Sequence, residues 1–280
     1  MPPRLRRLLA LTLFGAVLSV QPVHAAAMTA LFLPMLEATG PSRWQPDLGE
    51  SWQWQLTGAL DLSVDAAIYD VDLFDTPQAT VTALHNQGRR VICYMSVGSW
   101  EEWRDDAGDF PPAIIGADYD GWEGERWLDI RRLDLLGPIL AARFDLCKTK
   151  GFDAIEPDNI DGYQNATGFN LTEADQLTFN RWLATEAHRR GLSIGLKNAP
   201  DLAPALLNDF DWALTEDCFD QGWCGDMDLF VAAGKPVLAA EYTDTGMTLA
   251  QLCPQAKARK FSAILKDRDL TAPRQACPTP

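Results

Sequence analysis

The sequence predicts a single α/β domain, a (β/α)8 barrel of the TIM type, over residues 26–280. Three observations support this prediction. Strand-like and helix-like segments alternate from about residue 52 onward, the strand-like segments number eight, and polar residues gather where these strands end. A doubly wound open sheet is the competing interpretation. That fold usually carries a glycine-rich phosphate turn after an early strand, and no G-x-G-x-x-G motif occurs in this chain.

The expected elements follow one another without a linker or a sequence repeat. The eight strands are expected at residues 53–57, 67–72, 91–97, 152–157, 193–198, 212–216, 236–242 and 262–266. Helical patterns lie between most of them, at residues 77–87, 133–150, 172–190, 202–207, 226–233 and 249–260. A glycine follows three of these helices, at Gly151, Gly191 and Gly234, where it suits a left-handed helix cap. The first two strands have a short link with no room for a full helix. A long insertion rich in Trp, Asp and Gly, residues 98–131, follows the third strand.

The first 25 residues are expected to be a secretory signal peptide. Arg4, Arg6 and Arg7 precede an apolar run at residues 8–20, and the VHA sequence at residues 23–25 fits a cleavage site. A membrane anchor is the alternative, but the apolar run is shorter than the ~20 residues that a spanning helix needs. We therefore expect a secreted protein, extracellular or periplasmic, with no membrane contact after cleavage.

The cysteines agree with an exported protein. Six cysteines in such a chain indicate disulfides, and Cys218 and Cys224, which flank a short loop, are expected to form one. A metal site is not expected, because no Cys-x-x-Cys pair occurs and only three histidines are present, one of them in the leader. Cys253 and Cys277 could form a disulfide that holds the C-terminal segment. Cys93 and Cys147 could instead be plain buried thiols.

The charge of the chain limits its partners. Without the leader, 21 basic residues face 39 acidic ones, a formal net charge of -18. This charge disfavours nucleic acid, whose phosphates would be repelled. A cationic substrate is compatible with it, although solubility alone would also account for an acidic surface.

Polar residues at the strand ends indicate where a substrate cleft lies. In such a barrel the active site is at the carboxyl ends of the strands. Acids end the second, fourth, sixth and seventh strands, whereas the opposite strand ends carry none. The candidate substrate-binding residues at this rim are Asp70, Asp72, Tyr94, Ser96, Trp100, Glu156, Asn159, Lys197, Asn198, Glu241 and Tyr242.

Acids and aromatic residues in one concave rim, with no cofactor motif, are typical of glycoside hydrolysis. That reaction needs one carboxylic acid to protonate the leaving oxygen and a second carboxylate as nucleophile or as base for water. Pro157 stiffens the bend between Glu156 and Asp158, so Glu156 should lie deeper and Asp158 nearer the mouth. Asp158 is therefore the predicted catalytic carboxylate of this strand, with Glu216 on the sixth strand as its partner; which of the two is the acid stays open. No cofactor is expected. The candidate sugar platforms, each more often a core residue when taken singly, are Trp54, Trp100, Trp103, Trp122 and Trp223.

Several sequence blocks resemble a known family. They are GFDAIEPDNIDGY at residues 151–163, VICYMSVGSWEEW before it, and LKNAP and ALTEDCF after it. Together they resemble glycoside hydrolase family 114, the secreted endo-α-1,4-polygalactosaminidases, from WQWQLTGALDLSVDAAIYDVD to AAEYTD. The resemblance implies a (β/α)8 barrel and a catalytic pair that matches Asp158 and Glu216. It also implies a substrate of α-1,4-linked galactosamine, whose free amines are cationic.

Two other functions remain open on the sequence alone. One is a carbohydrate-binding barrel that has kept the groove without turnover, which the full set of acids disfavours. The other is a hydrolase of a different α-linked sugar polymer on the same scaffold. In each case the expected partner is a polysaccharide, and the chain is expected to act as a monomer.

Overall fold

The structure, a computed structural model, describes residues 43–278. The predicted signal peptide lies outside these residues. The described chain forms twelve strands, which are β1 Trp52–Gln55, β2 Ile68–Asp72, β3 Arg90–Ser96, β4 Ser99–Glu101, β5 Ile115–Asp118, β6 Glu125–Leu128, β7 Ala154–Asp158, β8 Ser193–Lys197, β9 Trp212–Glu216, β10 Val237–Tyr242, β11 Ser262–Lys266 and β12 Gln275–Ala276.

Eight of these strands form the predicted parallel barrel. They pair in the order β1-β2-β3-β7-β8-β9-β10-β11, so each of the eight expected strands is confirmed to within about two residues. The segment that follows β11 closes the barrel, because β12 pairs antiparallel with β11 while Leu56 N and Gln53 Nε2 donate to Leu270 O and Ala272 O, at 3.0 and 2.7 Å. The indole nitrogen of Trp52 also donates directly to Ser262 O at 2.8 Å.

Six helices accompany the strands. They are α1 Gln78–Asn86, α2 Leu133–Lys150, α3 Glu173–Arg189, α4 Ala203–Leu206, α5 Asp228–Ala232 and α6 Leu249–Arg259. The fourth and fifth are single turns, each preceded by a 3-10 turn, and no helix lies between β1 and β2. Gly151 ends α2 in the left-handed conformation, at φ 94°, as the sequence predicts. No helix within residues 43–278 is both long enough and apolar enough to cross a bilayer.

Two apolar layers hold the barrel together. The first lies between the sheet and the helices, and the second fills the barrel interior with Trp52, Trp54, Trp212 and aliphatic residues of the other strands. Alternate residues of each strand enter the interior because side chains alternate across a strand. Gly195 is required on β8, since a Cβ there would lie 2.5 Å from the Trp212 ring. The indoles thus occupy the lower interior, and the polar residues are left at the carboxyl ends.

The insertion after β3 forms a small sheet of its own. Strands β4, β5 and β6 pair antiparallel in the order β4-β6-β5. Its first residues pass close to the chain that leaves β7, because a Cβ on Gly98 would lie 1.7 Å from Asn159 O. A glycine is therefore needed where the insertion leaves the barrel.

The described residues contain three disulfides. The predicted pair Cys218–Cys224 is present, and Cys253–Cys277 ties the C-terminal segment to α6. Cys93 on β3 also bonds to Cys147 on α2, so the interpretation of these two as plain thiols is wrong. Nothing local in the sequence reveals this pairing, because its partners are 54 residues apart and meet only when α2 packs on the sheet.

Candidate active site

A single lysine lies at the centre of the polar residues that end the barrel strands. Lys197, the last residue of β8, places its Nζ 2.7 Å from Glu156 Oε1, 2.9 Å from Asp158 Oδ1 and 3.1 Å from Glu216 Oε2. Its side chain is only 3% exposed and lies over the Trp54 ring. Burial opposes the charge of Lys197, but Asp158, Glu156 and Glu216 outweigh it, and the pKa of the amine rises well above its ordinary value. Lys197 is therefore a permanent ammonium shared by three carboxyl groups.

The three carboxyl groups lie at different depths. The side chain of Glu156 is 1% exposed, whereas those of Asp158 and Glu216 are 21% and 27% exposed. Glu156 and Asp158 are two residues apart on β7 and share one face of the strand, so the shallower of the two lies one step nearer the mouth. The structure thus places Glu156 beneath the other two, as the strand alternation predicts.

A second buried acid lies beside Glu156. Asp70 on β2 is completely buried, and neither its two oxygens nor Glu156 Oε2 has another hydrogen-bond partner among the described residues. Burial, followed by the negative charge of Glu156, raises the pKa of Asp70 well above its usual range. Two ionised carboxylates cannot bond to each other, but a protonated Asp70 can donate to Glu156. We therefore assign the proton to Asp70, which leaves Glu156 as the acceptor from both Asp70 and Lys197.

Each of the two shallower acids also accepts from a phenol. Tyr94 donates to Asp158 Oδ2 at 3.0 Å, and the Tyr242 hydroxyl donates to Glu216 Oε1. Burial and then the neighbouring carboxylate raise the pKa of Tyr94 and of Tyr242, so both phenols stay protonated as donors. Asn198 completes the site. Its Nδ2 donates to Glu216 Oε2 at 3.2 Å, and its Oδ1 accepts from Glu216 N at 2.9 Å.

The chain turns away from the barrel through asparagines. Asn159 and Asn198 follow Asp158 and Lys197 and have φ values of 64° and 48°. Asparagine tolerates this left-handed region better than most residues, which suits it to a sharp exit from a strand. The two predicted asparagines therefore contribute as much to the backbone path as to the polar lining of the site.

A hydrogen-bond network holds the insertion against the site. Asn159 Nδ2 lies 2.9 Å from Ser96 Oγ, 2.9 Å from Ser99 Oγ and 3.0 Å from Glu125 Oε1, and Ser99 also bonds to Glu125. Burial raises the pKa of Glu125 to about 7, against the opposing effect of the Ser99 hydrogen bond. Ser96 and Asn159 thus lie behind Asp158 rather than in an open cleft. Glu125 was missed at the sequence level because nothing in residues 98–131 shows which of its acids faces the barrel.

Three predicted substrate-binding residues have other roles in the structure. The Asp72 carboxylate is bound by Arg104 at 2.7 and 3.0 Å and is buried, and the Trp100 indole donates to Ala107 O at 3.0 Å inside the insertion. Glu241 points out of the barrel and accepts from Phe219 N and Asp220 N, at 2.9 and 3.2 Å. The prediction that Glu241 lines the cleft is wrong, because its neighbours Ala240 and Tyr242 face the interior and alternation turns Glu241 outward.

An arginine that the sequence did not single out lies behind Glu216. The Arg268 guanidinium lies 4.2 Å from the centre of the Tyr242 ring. It is fixed there by Asp217 at 2.9 Å and by Asp244. Because Tyr242 donates to Glu216, the charge of Arg268 over the ring strengthens the phenol as a donor. Arg268 thus acts on Glu216 through the tyrosine.

The two shallower carboxylates lie close enough to act on one bond. Since both bond to the same ammonium, at 2.9 and 3.1 Å, their bound oxygens are at most about 6 Å apart. Both are partly exposed, and both are at the mouth of the barrel. Two carboxyl groups so placed can act on one glycosidic bond, one as proton donor and the other as nucleophile or as base for water.

Comparison with known proteins agrees with this chemistry. The model of glycoside-hydrolase family GH114 matches residues 34–279. The chain is similar to the crystal structure of Aspergillus fumigatus Ega3 in complex with galactosamine, with 39% identity, a TM-score of 0.81, and coverage of 85% of this chain and 99% of that one. The glycoside hydrolase domain of PelA from Pseudomonas aeruginosa shares the fold, with 16% identity, a TM-score of 0.65, and coverage of 81% of this chain and 98% of that one. No curated protein matches the chain.

Proposed function

Because the chain belongs to glycoside-hydrolase family GH114, we propose that it is a secreted endo-glycosidase that cleaves α-1,4-linked galactosamine-containing polysaccharide. The observation that carries this proposal is the cluster in which Lys197 joins Asp158 and Glu216 at the mouth of the barrel. In this proposal Asp158 and Glu216 are the catalytic carboxylates, and Glu156 is a buried group that tunes them.

We assign the pair a retaining reaction. Carboxyl groups about 5–5.5 Å apart are typical of retaining enzymes, and inverting enzymes need about 6.5–9.5 Å to admit a water between them. The oxygens held by Lys197 are at most about 6 Å apart, which favours the shorter arrangement. A carboxylate oxygen then attacks the anomeric carbon, the glycosidic C–O bond breaks, and the other carboxyl group gives its proton to the leaving oxygen.

Asp158 is the proposed nucleophile and Glu216 the proposed acid and base. Asp158 is the less exposed of the two and accepts from both Lys197 and Tyr94, at 2.9 and 3.0 Å, which suits a nucleophile. Glu216 is the more exposed and can exchange its proton with solvent water. In the second step Glu216 takes a proton from water, the water oxygen attacks the anomeric carbon, and the bond to Asp158 breaks. The product then keeps the configuration of the substrate.

The substrate class follows from charge and from similarity. The solved structure that resembles this chain, Ega3, is a complex with galactosamine. A polymer with free amines is a polycation, and the acidic chain attracts it and concentrates it near the cleft. Three disulfides support export to an oxidising compartment, where disulfides form and persist.

The test uses galactosaminan in two forms, fully N-acetylated and de-N-acetylated. We expect the purified wild-type protein to release reducing ends from the polymer that carries free amines. Asp158→Asn and Glu216→Gln should each lose at least ~10²–10⁴-fold in rate and still bind oligosaccharide, because general acid catalysis alone is worth that much. Glu156→Gln should cost less and shift the pH optimum. Asp145→Asn, a change of an exposed acid on α2, is the matched control and should leave activity unchanged.

Azide distinguishes the two roles. Glu216→Ala should be rescued by azide with formation of the α-glycosyl azide, whereas Asp158→Ala should yield the β-glycosyl azide. The reverse pattern would exchange the roles of the two residues. If both Asp158→Asn and Glu216→Gln retain wild-type activity, the carboxylate pair is not the catalytic one. A wild-type protein that binds the polymer and releases no reducing ends is a carbohydrate-binding barrel.

A further inference from the structure

The insertion presents two exposed tryptophans. Trp103 and Trp122 are 51% and 55% exposed, and the third large apolar side chain exposed to a similar degree within residues 43–278 is Leu48, at 45%. A single exposed apolar residue is ordinary, but two indoles on one small sheet are a feature that binding surfaces share. Neither indole is needed to fill a core.

The backbone brings the two tryptophans to one end of the insertion sheet. Glu102 N donates to Gly124 O at 3.0 Å, directly beyond the last β4–β6 pair. The Glu102 side chain crosses over Gly124, where a Cβ would lie 2.8 Å from the Glu102 carboxylate. Trp103 follows Glu102 along the chain, and Trp122 precedes Gly124 by two residues. Both tryptophans therefore lie within two residues of this crossing.

The same end of the sheet borders the active site. The loop that carries Trp122 begins at Tyr119 and ends at Glu125, and Tyr119 N donates to Glu125 O at 2.8 Å to close it. Glu125 accepts from Asn159, the neighbour of Asp158. At the other end of the loop, the Tyr119 ring stacks on Trp127 of β6, with the ring centres 4.5 Å apart. The loop is thus anchored beside the residue that follows Asp158, and Trp122 lies on its exposed part.

Acids surround the two indoles. Two arginines lie close to them in the sequence. Arg104 is buried and pairs with Glu101 and Asp72, at 2.8 and 2.7 Å, and Arg126 lies 3.4 Å from Asp118. A surface of aromatic rings and exposed carboxylates complements a positively charged ligand, because ring faces and carboxylates both attract cations. The exposed acids near the two indoles are Glu102, Asp105, Asp118, Asp120 and Glu123.

We propose that Trp103 and Trp122, with the acids around them, form a rim platform that binds units of the cationic amino-sugar polymer outside the catalytic pair. This inference rests on the proposed function for the identity of the polymer. The apolar face of a pyranose ring packs on one indole. The ammonium of the same sugar then lies over the face of an indole or beside a neighbouring carboxylate. The rim platform then holds a long chain while Asp158 and Glu216 act on one of its bonds, so it determines preference for long substrates.

The experiment compares polymer with short oligomer. Binding of de-N-acetylated galactosaminan is measured in an Asp158→Asn background, with Trp103→Ala, Trp122→Ala and the double variant. Each single change should weaken binding by about two- to fivefold, as expected for an exposed cation–π contact, and the double change by about tenfold. Leu48→Ala is the control for loss of an exposed apolar side chain and should have no effect. In the active protein, KM for the polymer should rise while kcat on a trimer stays unchanged.

Three outcomes would overturn the proposal. The first is unchanged polymer binding in the double variant. The second is an equal loss of activity on trimer and on polymer. The third is that fully N-acetylated polymer, which carries no charge for the acids to attract, binds as tightly as the de-N-acetylated polymer. Thermal unfolding of each variant should match that of wild type, because both side chains are exposed. Failure of the proposed function looks different. If wild type cleaves nothing and still binds polymer through Trp103 and Trp122, the catalytic proposal is wrong and the rim platform is supported.

Discussion

Replacing Lys197 by methionine tests the central feature of the site. The change keeps the length of the side chain and removes the ammonium that three carboxyl groups share. Removing one partner of a buried ion pair leaves the other charge without compensation and typically costs ~3–5 kcal/mol. A domain of this size loses about 2–4 °C in Tm per kcal/mol, so a decrease of roughly 6–20 °C is expected at pH 7. This is a large part of the ~5–15 kcal/mol that stabilises an ordinary domain.

The loss of stability in Lys197→Met should decrease as the pH falls. In wild type the pKa of Lys197 is raised above its unfolded value, so its stabilising contribution is complete below about pH 10 and is lost only above that. In Lys197→Met the uncompensated carboxylates regain neutrality by taking up protons, which becomes easier as the pH falls. The difference in unfolding free energy between wild type and variant should therefore shrink from pH 7 to pH 5.

Urea unfolding followed by circular dichroism at both pH values measures this difference. Lys257→Met, a change of an exposed lysine on α6, is the matched control and should leave stability unchanged. The double variant Lys197→Met/Glu156→Gln should recover part of the lost stability, because it removes the charge of Glu156, the most deeply buried of the three, together with that of Lys197. Should Lys197→Met unfold at the same urea concentration as the control at pH 7, the three carboxyl groups do not carry the charge assigned to them.

Three further outcomes are expected. The pKa of Glu125 is raised to about 7, so the protonated Glu125 contributes to the unfolding free energy of wild type at low pH. That contribution is lost as the pH rises from about 4.5 to about 7. Glu125→Gln should flatten the stability profile in that window, and an unchanged slope would place the titration elsewhere. Replacing Cys93 and Cys147 by serine should cost about 4 kcal/mol in the chain-entropy model, because the bond closes a loop of 54 residues, and a loss below 1 kcal/mol in urea unfolding would contradict this. Arg268→Gln should change the pH profile of activity in wild type and have no further effect in a Tyr242→Phe background. Additive effects would show that Arg268 does not act through the phenol.

The periodicity of the strands accounts for most of what could be predicted. Strands buried on both faces are short apolar runs, and a polar residue is tolerated in them only where they end. The side-chain alternation then places Glu156 and Asp158 on one face, and the structure brings both to Lys197. The same reasoning failed at Glu241. The end of β10 does not reveal which of Glu241 and Tyr242 faces inward, and a shift of one residue exchanges the two faces.

The insertion could not be predicted in the same way. Strands β4, β5 and β6 have three or four residues each, too few for a period to be visible. They are held by contacts to the chain that leaves the barrel strands, such as the hydrogen bond from Asn159 Nδ2 to Glu125 Oε1 at 3.0 Å. The role of Glu125 depends on those contacts and not on its sequence neighbours. The Cys93–Cys147 disulfide was hidden for the same reason, because it joins elements that meet only in the folded barrel.

The charge balance around Lys197 explains why one lysine is placed among so many acids. Asp70 holds a proton, and Glu156, Asp158 and Glu216 face a single ammonium, so the resting cluster keeps an excess of negative charge. In the proposed reaction the sugar brings an ammonium into this cluster, and positive charge develops at the anomeric carbon in the transition state. A second lysine would neutralise the excess and lose this attraction, whereas no lysine would leave three carboxylates to repel one another. Lys197 thus holds Asp158 and Glu216 close together while leaving the site negative enough for a cationic sugar.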